Sequence, residues 1–111
     1  MKIKLMIMLL FATAAVAQTQ KENIEVRGNC DLCKKRIEKA ALKTKGVKYA
    51  SWTAETQQLT LIYNAKKTNA KNVAKNIAGV GHEADSIVAI EEVYNALPAC
   101  CKYKSVSPHK D

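Results

Sequence analysis

Aromatic residues are sparse in this sequence, and methionine is missing from all of it beyond residue 8. The 111 residues include one Trp, one Phe, four Tyr and two Pro. Because the few aromatic side chains do not alternate with basic ones, the chain lacks the stacking platform of proteins that bind single-stranded nucleic acid. Met1, Met6 and Met8 are the three methionines, which excludes a methionine-rich metal site from the rest of the chain. The net charge of +8 therefore predicts a basic, soluble surface without a nucleic-acid partner.

Groupings of residues that would indicate catalysis are lacking as well. Nothing in the sequence resembles a nucleophile accompanied by a base and an orienting acid. No internal repeat, low-complexity segment or linker rich in Pro, Gly and Ser divides the chain. Its length suits one small domain. We therefore expect a single domain that is not an enzyme.

No apolar run reaches the roughly 20 residues that a membrane span needs. The apolar stretch Leu5–Ala17 follows the charged residues Lys2 and Lys4, and it ends in the small residues Ala15-Val16-Ala17. This order of charge, apolar core and cleavage site is typical of a secretory signal peptide. We expect residues 1–17 to be cleaved, which leaves a periplasmic or secreted protein without a membrane span; a retained anchor is the alternative. No Cys follows the run, which argues against a lipoprotein anchor.

Hydrophobic periodicity predicts the order β-α-β-β-α-β with a short extra C-terminal helix. Alternating residues indicate strands, and apolar residues at helical spacing indicate helices. The predicted strands are residues 23–27, 47–54, 59–63 and, weakly, 83–88, and the predicted helices are 32–45, 70–78 and 90–97. Two helices on one face of a four-stranded antiparallel sheet form an α+β, ferredoxin-like sandwich. We assign residues 18–97 to this domain and residues 98–111 to a cysteine-containing tail.

Two cysteines flank the predicted start of the first helix. Cys30 and Cys33 follow a strand and a short loop, with Cys33 in the first helical turn. Unpaired amides and the helix dipole favour anions there, which lowers the pKa of a thiol and makes thiolate available near neutral pH. Thiolates are soft ligands that favour Cu(I) and also bind Zn(II) or Hg(II). Lys34-Lys35-Arg36 adds positive charge that would offset a bis-thiolate complex.

A second pair, Cys100 and Cys101, lies almost a whole domain away. Such tight pairing does not favour a disulfide framework, because adjacent cysteines bridge each other with strain and a C-x-x-C bridge closes a very small loop. The tail pair could complete a metal site of higher coordination number or receive metal from the first pair. It could equally be an oxidised pair, a bridge to Cys30 or Cys33, or two buried thiols.

The stretch Val26–Ala40 resembles the metal-binding loop and first helix of the heavy-metal-associated domain family. That family includes copper chaperones, the N-terminal modules of copper-transporting ATPases and periplasmic mercury-binding proteins. The similarity continues through Gly46-Val47 and residues 79–84, and it covers roughly residues 23–88. The resemblance implies the ferredoxin-like fold, metal ligation by Cys30 and Cys33, and a metal-transporting ATPase or another metal-exchange protein as partner.

Two positions depart from the family pattern. Gly28 stands where the family usually has an inward-packed Met, which predicts a more mobile loop. His82 stands where the family has Tyr, Phe or Lys near the metal, so it is either a third ligand or a solvent-exposed loop histidine. If Cys30, Cys33, His82 and one tail cysteine converged, the set would suit tetrahedral zinc. Two sulfurs alone suit Cu(I) or Hg(II) better.

The leading interpretation is an exported chaperone or scavenger of a soft metal ion, with Cu(I) favoured. Its mechanism, implied by the resemblance, is stepwise thiolate exchange with a partner. A thiol-disulfide redox protein using the same C-x-x-C is the rival interpretation. Trp52 is remote from the motif in sequence and both prolines lie in the tail, which argues against the rival. A structural domain with oxidised cysteines is a third alternative, and a homodimer bridged by one metal stays open.

Overall fold

The computed structural model of the chain describes residues 18–104. The predicted signal peptide, residues 1–17, and His109 lie outside the described residues. The elements are β1 (Thr19–Glu25), α1 (Asp31–Lys43), β2 (Val47–Thr53), β3 (Gln58–Asn64), α2 (Ala70–Ala78) and α3 (Glu91–Asn95), followed by a turn of 3-10 helix at Ala99–Cys101. The predicted helices, including the short closing one, are confirmed with small shifts of their ends.

The three strands form one antiparallel sheet in the order β1-β3-β2. Ile24 and Trp52 both pair with Leu59 of the central strand, so these three buried side chains form a row across one face. Burying each side chain of this size stabilises the fold by roughly 1.5–3 kcal/mol. The α+β arrangement predicted from periodicity is confirmed.

The fourth strand predicted at residues 83–88 is reduced to isolated bridges. Ala84 bridges Val26 and Ile87, and the Ala84 and Ile87 backbones exchange hydrogen bonds of 3.1 and 2.9 Å. Between them Asp85 has a φ of 55°, in the left-handed region that an extended strand does not use. The segment therefore turns back after a single bridge and cannot continue the ladder beside β1.

Both long helices pack their apolar faces into the core. Asn69 caps α2, because its side chain accepts a hydrogen bond of 2.8 Å from the backbone N–H of Asn72. The buried helical residues are Cys33, Ile37, Ala40 and Ala41 in α1 and Val73, Ala74, Ile77 and Ala78 in α2. Within residues 18–104, the helices all fall short of the length and apolar character needed to cross a membrane.

Candidate metal centre

Cys30 and Cys33 meet where the chain leaves the sheet and enters α1. Cys30 is the last extended residue before the helix, with φ −146° and ψ 179°, and Cys33 lies in the first turn. Their sulfur atoms are 3.6 Å apart. Cys33 is fully buried and Cys30 is half-buried. The predicted convergence of the two sulfurs at the helix N-terminus is therefore present in the structure.

The tail brings its two cysteines to the same place. The sulfur of Cys30 lies 3.3 Å from that of Cys100 and 3.6 Å from that of Cys101. The sulfurs of Cys100 and Cys101 are 3.8 Å apart. All four cysteines are free thiols. The structure thus places Cys30 in contact with each of the other three sulfurs.

The surroundings of Cys30 favour its ionisation, unlike those of the two tail cysteines. Burial raises its pKa, but the Cys33 backbone N–H and the thiols of Cys100, Cys33 and Cys101 outweigh burial and lower the pKa to about 7. The pKa of Cys101 is raised, mainly by burial. The pKa of Cys100 is raised mainly by its hydrogen bond to Cys30. The Cys30 thiol donates to the Cys100 sulfur at 3.3 Å, and near neutral pH it can lose this proton and become a thiolate.

Access to the sulfurs is one-sided. A pocket of about 540 Å³ opens beside Cys30 and is bordered by Asn29, Asp31, Lys34 and residues 52–55. Cys100 is exposed, whereas Cys33 and Cys101 have no exposed surface. An ion would therefore enter and leave on the side of Cys30 and Cys100.

His82 lies outside the group of sulfurs. Its Nδ1 is 2.8 Å from the carbonyl oxygen of Arg27, so Nδ1 carries the proton and donates it to that oxygen. The ring is fully buried and stacks on Tyr103 at a centroid distance of 5.6 Å, which corrects the expectation of a solvent-exposed loop histidine. Within residues 18–104, the metal-ligating atoms that lie within 4.8 Å of one another belong to Cys30, Cys100 and Cys101. Cys33, which contacts Cys30, and His82 both lie outside this compact set. The His82 ring instead connects the loop after α2 to Arg27 and to the tail.

Acid is expected to destabilise the protein through His82. Burial, reinforced by the charge of Arg36, outweighs the Arg27 hydrogen bond and lowers the pKa of His82 from 6.5 to about 4. Between pH 6.5 and pH 4 the unfolded chain binds a proton at His82, whereas the folded chain does not. The stabilisation from the neutral ring is therefore fully present above pH 6.5. About 3 kcal/mol of unfolding free energy is lost as the pH falls to 4. His82→Asn keeps a donor for the Arg27 carbonyl and cannot titrate. The free energy of unfolding, measured in urea between pH 7 and pH 4, should fall more steeply for the parent than for His82→Asn. An equal pH dependence in the two proteins would contradict the role of His82.

The loop before Cys30 is held more firmly than the glycine at position 28 suggested. The Gln57 side-chain amide bonds both backbone groups of Gly28, accepting from its N–H at 3.1 Å and donating to its carbonyl at 3.0 Å. A Cβ on Gly28 would lie 3.1 Å from Cys33 Cβ and from two ring carbons of Trp52. Trp52 thus fills the space beside the loop, and its Nε1–H donates to the Val26 carbonyl at 2.9 Å. The expectation of a more mobile loop has no support in these contacts.

Three residues that support the site carried no functional signal in the sequence. In the sequence, Gln57 lies in the turn between two predicted strands, and Trp52 lies within the first of them. Asn29, which is fully buried, donates from its side-chain nitrogen to the Cys100 carbonyl at 3.3 Å. The expected contribution of Lys34 to the positive field is also reduced, because its Nζ forms an ion pair with Glu38 at 2.7 Å. These roles depend on contacts between distant segments, which one sequence does not reveal.

The model of the heavy-metal-associated domain family matches residues 25–83. A copper-exporting P-type ATPase of Staphylococcus epidermidis is 32% identical over 86 residues, which are 75% of this chain and 11% of that protein. The chain thus spans about a tenth of the length of the curated relatives it matches.

Two small solved structures cover the same region. Oxidised MerP from Ralstonia metallidurans CH34 is 29% identical with a TM-score of 0.58, and the match covers 60% of this chain and 94% of MerP. The metallochaperone CopZ is 26% identical with a TM-score of 0.56, and the match covers 59% of this chain and 98% of CopZ. The ferredoxin-like assignment is confirmed by these neighbours, and both matches leave a large part of the present chain uncovered.

Proposed function

The chain belongs to the heavy-metal-associated domain family, and on that premise we propose that it binds a soft metal ion through the thiolates of Cys30 and Cys33. One observation carries the proposal: the two sulfurs lie 3.6 Å apart at the N-terminus of α1. A soft, polarisable cation is the ligand class that thiolates select. Hydrogen bonds that lower the pKa of Cys30 to about 7 supply the thiolate without a strong base.

Cu(I) is the favoured ion, with Hg(II) and Zn(II) as alternatives. The related ATPase is described as copper-exporting, and CopZ is described as a metallochaperone. Cu(I) is the softest of the biologically common ions, and two thiolates satisfy it. The ion is cargo rather than a catalytic centre, so we propose a non-enzymatic protein.

Transfer would proceed by exchange of thiolates on the open side of the site. A thiolate of the recipient bonds the ion first, and Cys30 and Cys33 then dissociate from it one at a time. The ion keeps its oxidation state, and the released cysteines take up protons from solvent. The pocket of about 540 Å³ beside Cys30 gives the incoming thiolate its approach.

The proposed recipient is a metal-transporting ATPase or another metal-exchange protein. The test mixes the Cu(I)-loaded protein with a copper-binding domain of a copper-exporting ATPase and separates the two by charge. Copper is expected to transfer to the ATPase domain faster than to a chelator too bulky for the pocket, because direct thiolate exchange does not require a free ion. Equal rates for the two acceptors would mean that copper passes through solution, which contradicts a chaperone and leaves a scavenger.

The proposed site of action is the periplasm or the extracellular space. It rests on the signal-peptide pattern of residues 1–17. The intact mass of the protein recovered from the cell envelope or medium should correspond to a chain starting at Gln18. A mass that retains residues 1–17 would overturn the proposal of cleaved export.

A further inference from the structure

We propose that Cys100 and Cys101 are metal ligands that complete a four-thiolate site with Cys30 and Cys33, so that the cargo extends to tetrahedral d10 divalent cations, Zn(II) and Cd(II). The inference rests on the proposed function of the first pair and adds the ligands that set the coordination number. The family match ends at residue 83, so both tail cysteines lie beyond it.

The separations of the sulfurs carry the proposal. Bonds of about 2.3 Å at tetrahedral angles place sulfurs about 3.8 Å apart, whereas a linear two-coordinate ion holds them about 4.6 Å apart. The separations are 3.6 Å from Cys30 to Cys33, 3.3 and 3.6 Å from Cys30 to the tail sulfurs, and 3.8 Å between the tail sulfurs. Cys30, Cys100 and Cys101 therefore already have the compactness of a tetrahedral site. Cys33 contacts Cys30 but is not within 4.8 Å of both tail sulfurs, so it would move closer to them when an ion binds.

The tail is positioned by contacts outside the sulfur group. The buried Asn29 binds the Cys100 carbonyl at 3.3 Å. The Tyr103 hydroxyl donates to the Gly81 carbonyl at 3.1 Å and accepts from the Glu83 N–H at 3.0 Å. The Tyr103 ring packs edge-on against Tyr94 at 5.0 Å. These contacts place the two tail thiols at the site before any ion binds, which reduces the entropy lost when four ligands are assembled.

Burial and charge also suit a divalent ion. Cys101 has no exposed surface, and the Arg36 guanidinium lowers the pKa of its thiol in opposition to burial. Four thiolates around a divalent cation carry a net charge of −2, which a buried guanidinium partly offsets. One guanidinium nitrogen of Arg36 is buried without a hydrogen-bond partner, so it is available to a sulfur that becomes anionic.

The test titrates the reduced full chain with Cd(II) and follows the ultraviolet thiolate-to-metal charge-transfer band, whose intensity per ion increases with the number of bound thiolates. The parent is compared with Cys100→Ser/Cys101→Ser. The double variant should lose about half the intensity per ion. Its affinity for Cd(II), measured by chelator competition, should fall more than 100-fold, because two of the four proposed ligands are lost.

Two further variants keep the outcome decisive. Ala99→Ser changes an exposed neighbour on the same turn and should match the parent. Cys100→Ser removes an exposed thiol without touching the core, so it folds even if the double variant does not, and it should lose about a quarter of the intensity. Parent-like intensity and affinity in both serine variants would overturn the tail proposal while leaving Cys30 and Cys33 as the site. Absence of Cd(II) and Cu(I) binding by the parent would instead overturn the proposed function.

Discussion

Replacing Cys30 by serine is expected to lower the affinity for Cu(I) by at least 100-fold without weakening the fold. Cys30 contacts the three other sulfurs, at 3.6, 3.3 and 3.6 Å. Without Cys30 the ion keeps only one thiolate of the proposed pair, and a loss of about 3 kcal/mol in binding free energy corresponds to more than 100-fold in affinity. The affinity is measured by competition with a chelator of known strength under reducing conditions.

Serine is a well-suited replacement because Cys30 occupies the N-cap of α1. Ser is among the residues preferred at that position, so α1 should be as stable as before or slightly more so. Cys33→Ser is the companion variant, and it replaces a fully buried sulfur by a hydroxyl. Unchanged Cu(I) affinity in both variants would contradict the assignment of the site. A parent that binds no ion but exchanges disulfides with small thiol substrates would support the redox interpretation instead.

Trp52→Ala is expected to cost about 3–5 kcal/mol of unfolding free energy, the range for truncating a large buried aromatic residue. The side chain is 1% exposed and packs in the row with Ile24 and Leu59. Its ring also lies against Gly28, in the loop that leads to Cys30. The loss should therefore appear both in urea unfolding and as a weaker affinity for Cu(I), because the loop loses its support.

Trp52→Phe separates packing from hydrogen bonding. Phe retains an aromatic ring but cannot donate to the Val26 carbonyl, which the indole Nε1–H meets at 2.9 Å. A buried carbonyl left without its partner costs about 1–3 kcal/mol. The Phe variant should thus lie between the parent and Trp52→Ala in stability. An alanine variant as stable as the parent would show that Trp52 does not support the loop.

Local patterns predicted the parts of this molecule that depend on near neighbours. The predicted strand at residues 47–54 puts Tyr49 and Trp52, three positions apart, on opposite faces, and in the structure Trp52 is buried while Tyr49 is 48% exposed. Helical spacing placed Cys33 in the first turn of α1, where it lies. Periodicity could not show that Asp85 turns the chain after one bridge, because the left-handed φ of this non-glycine residue has no counterpart in the spacing of apolar residues.

The contacts that shape the site join segments far apart in sequence. Cys30 and Cys100 are 70 positions apart, and Gln57 is 29 positions from the Gly28 whose backbone it holds. Gly28 was interpreted as a missing side chain, but in the folded chain it leaves room for the ring of Trp52. His82 was considered as a ligand because of its position in the loop after α2, and its hydrogen bond to Arg27 became visible only in three dimensions.

X-ray absorption at the copper edge of the Cu(I)-loaded full chain tests the central claim most directly, because it identifies the atoms bound to the ion. Bonding by reduced thiolates at Cys30 and Cys33 predicts that copper is surrounded by sulfur alone and that Cys30→Ser alters the spectrum. Copper bound mainly to nitrogen or oxygen, or a spectrum identical in the parent and in Cys30→Ser, would contradict it.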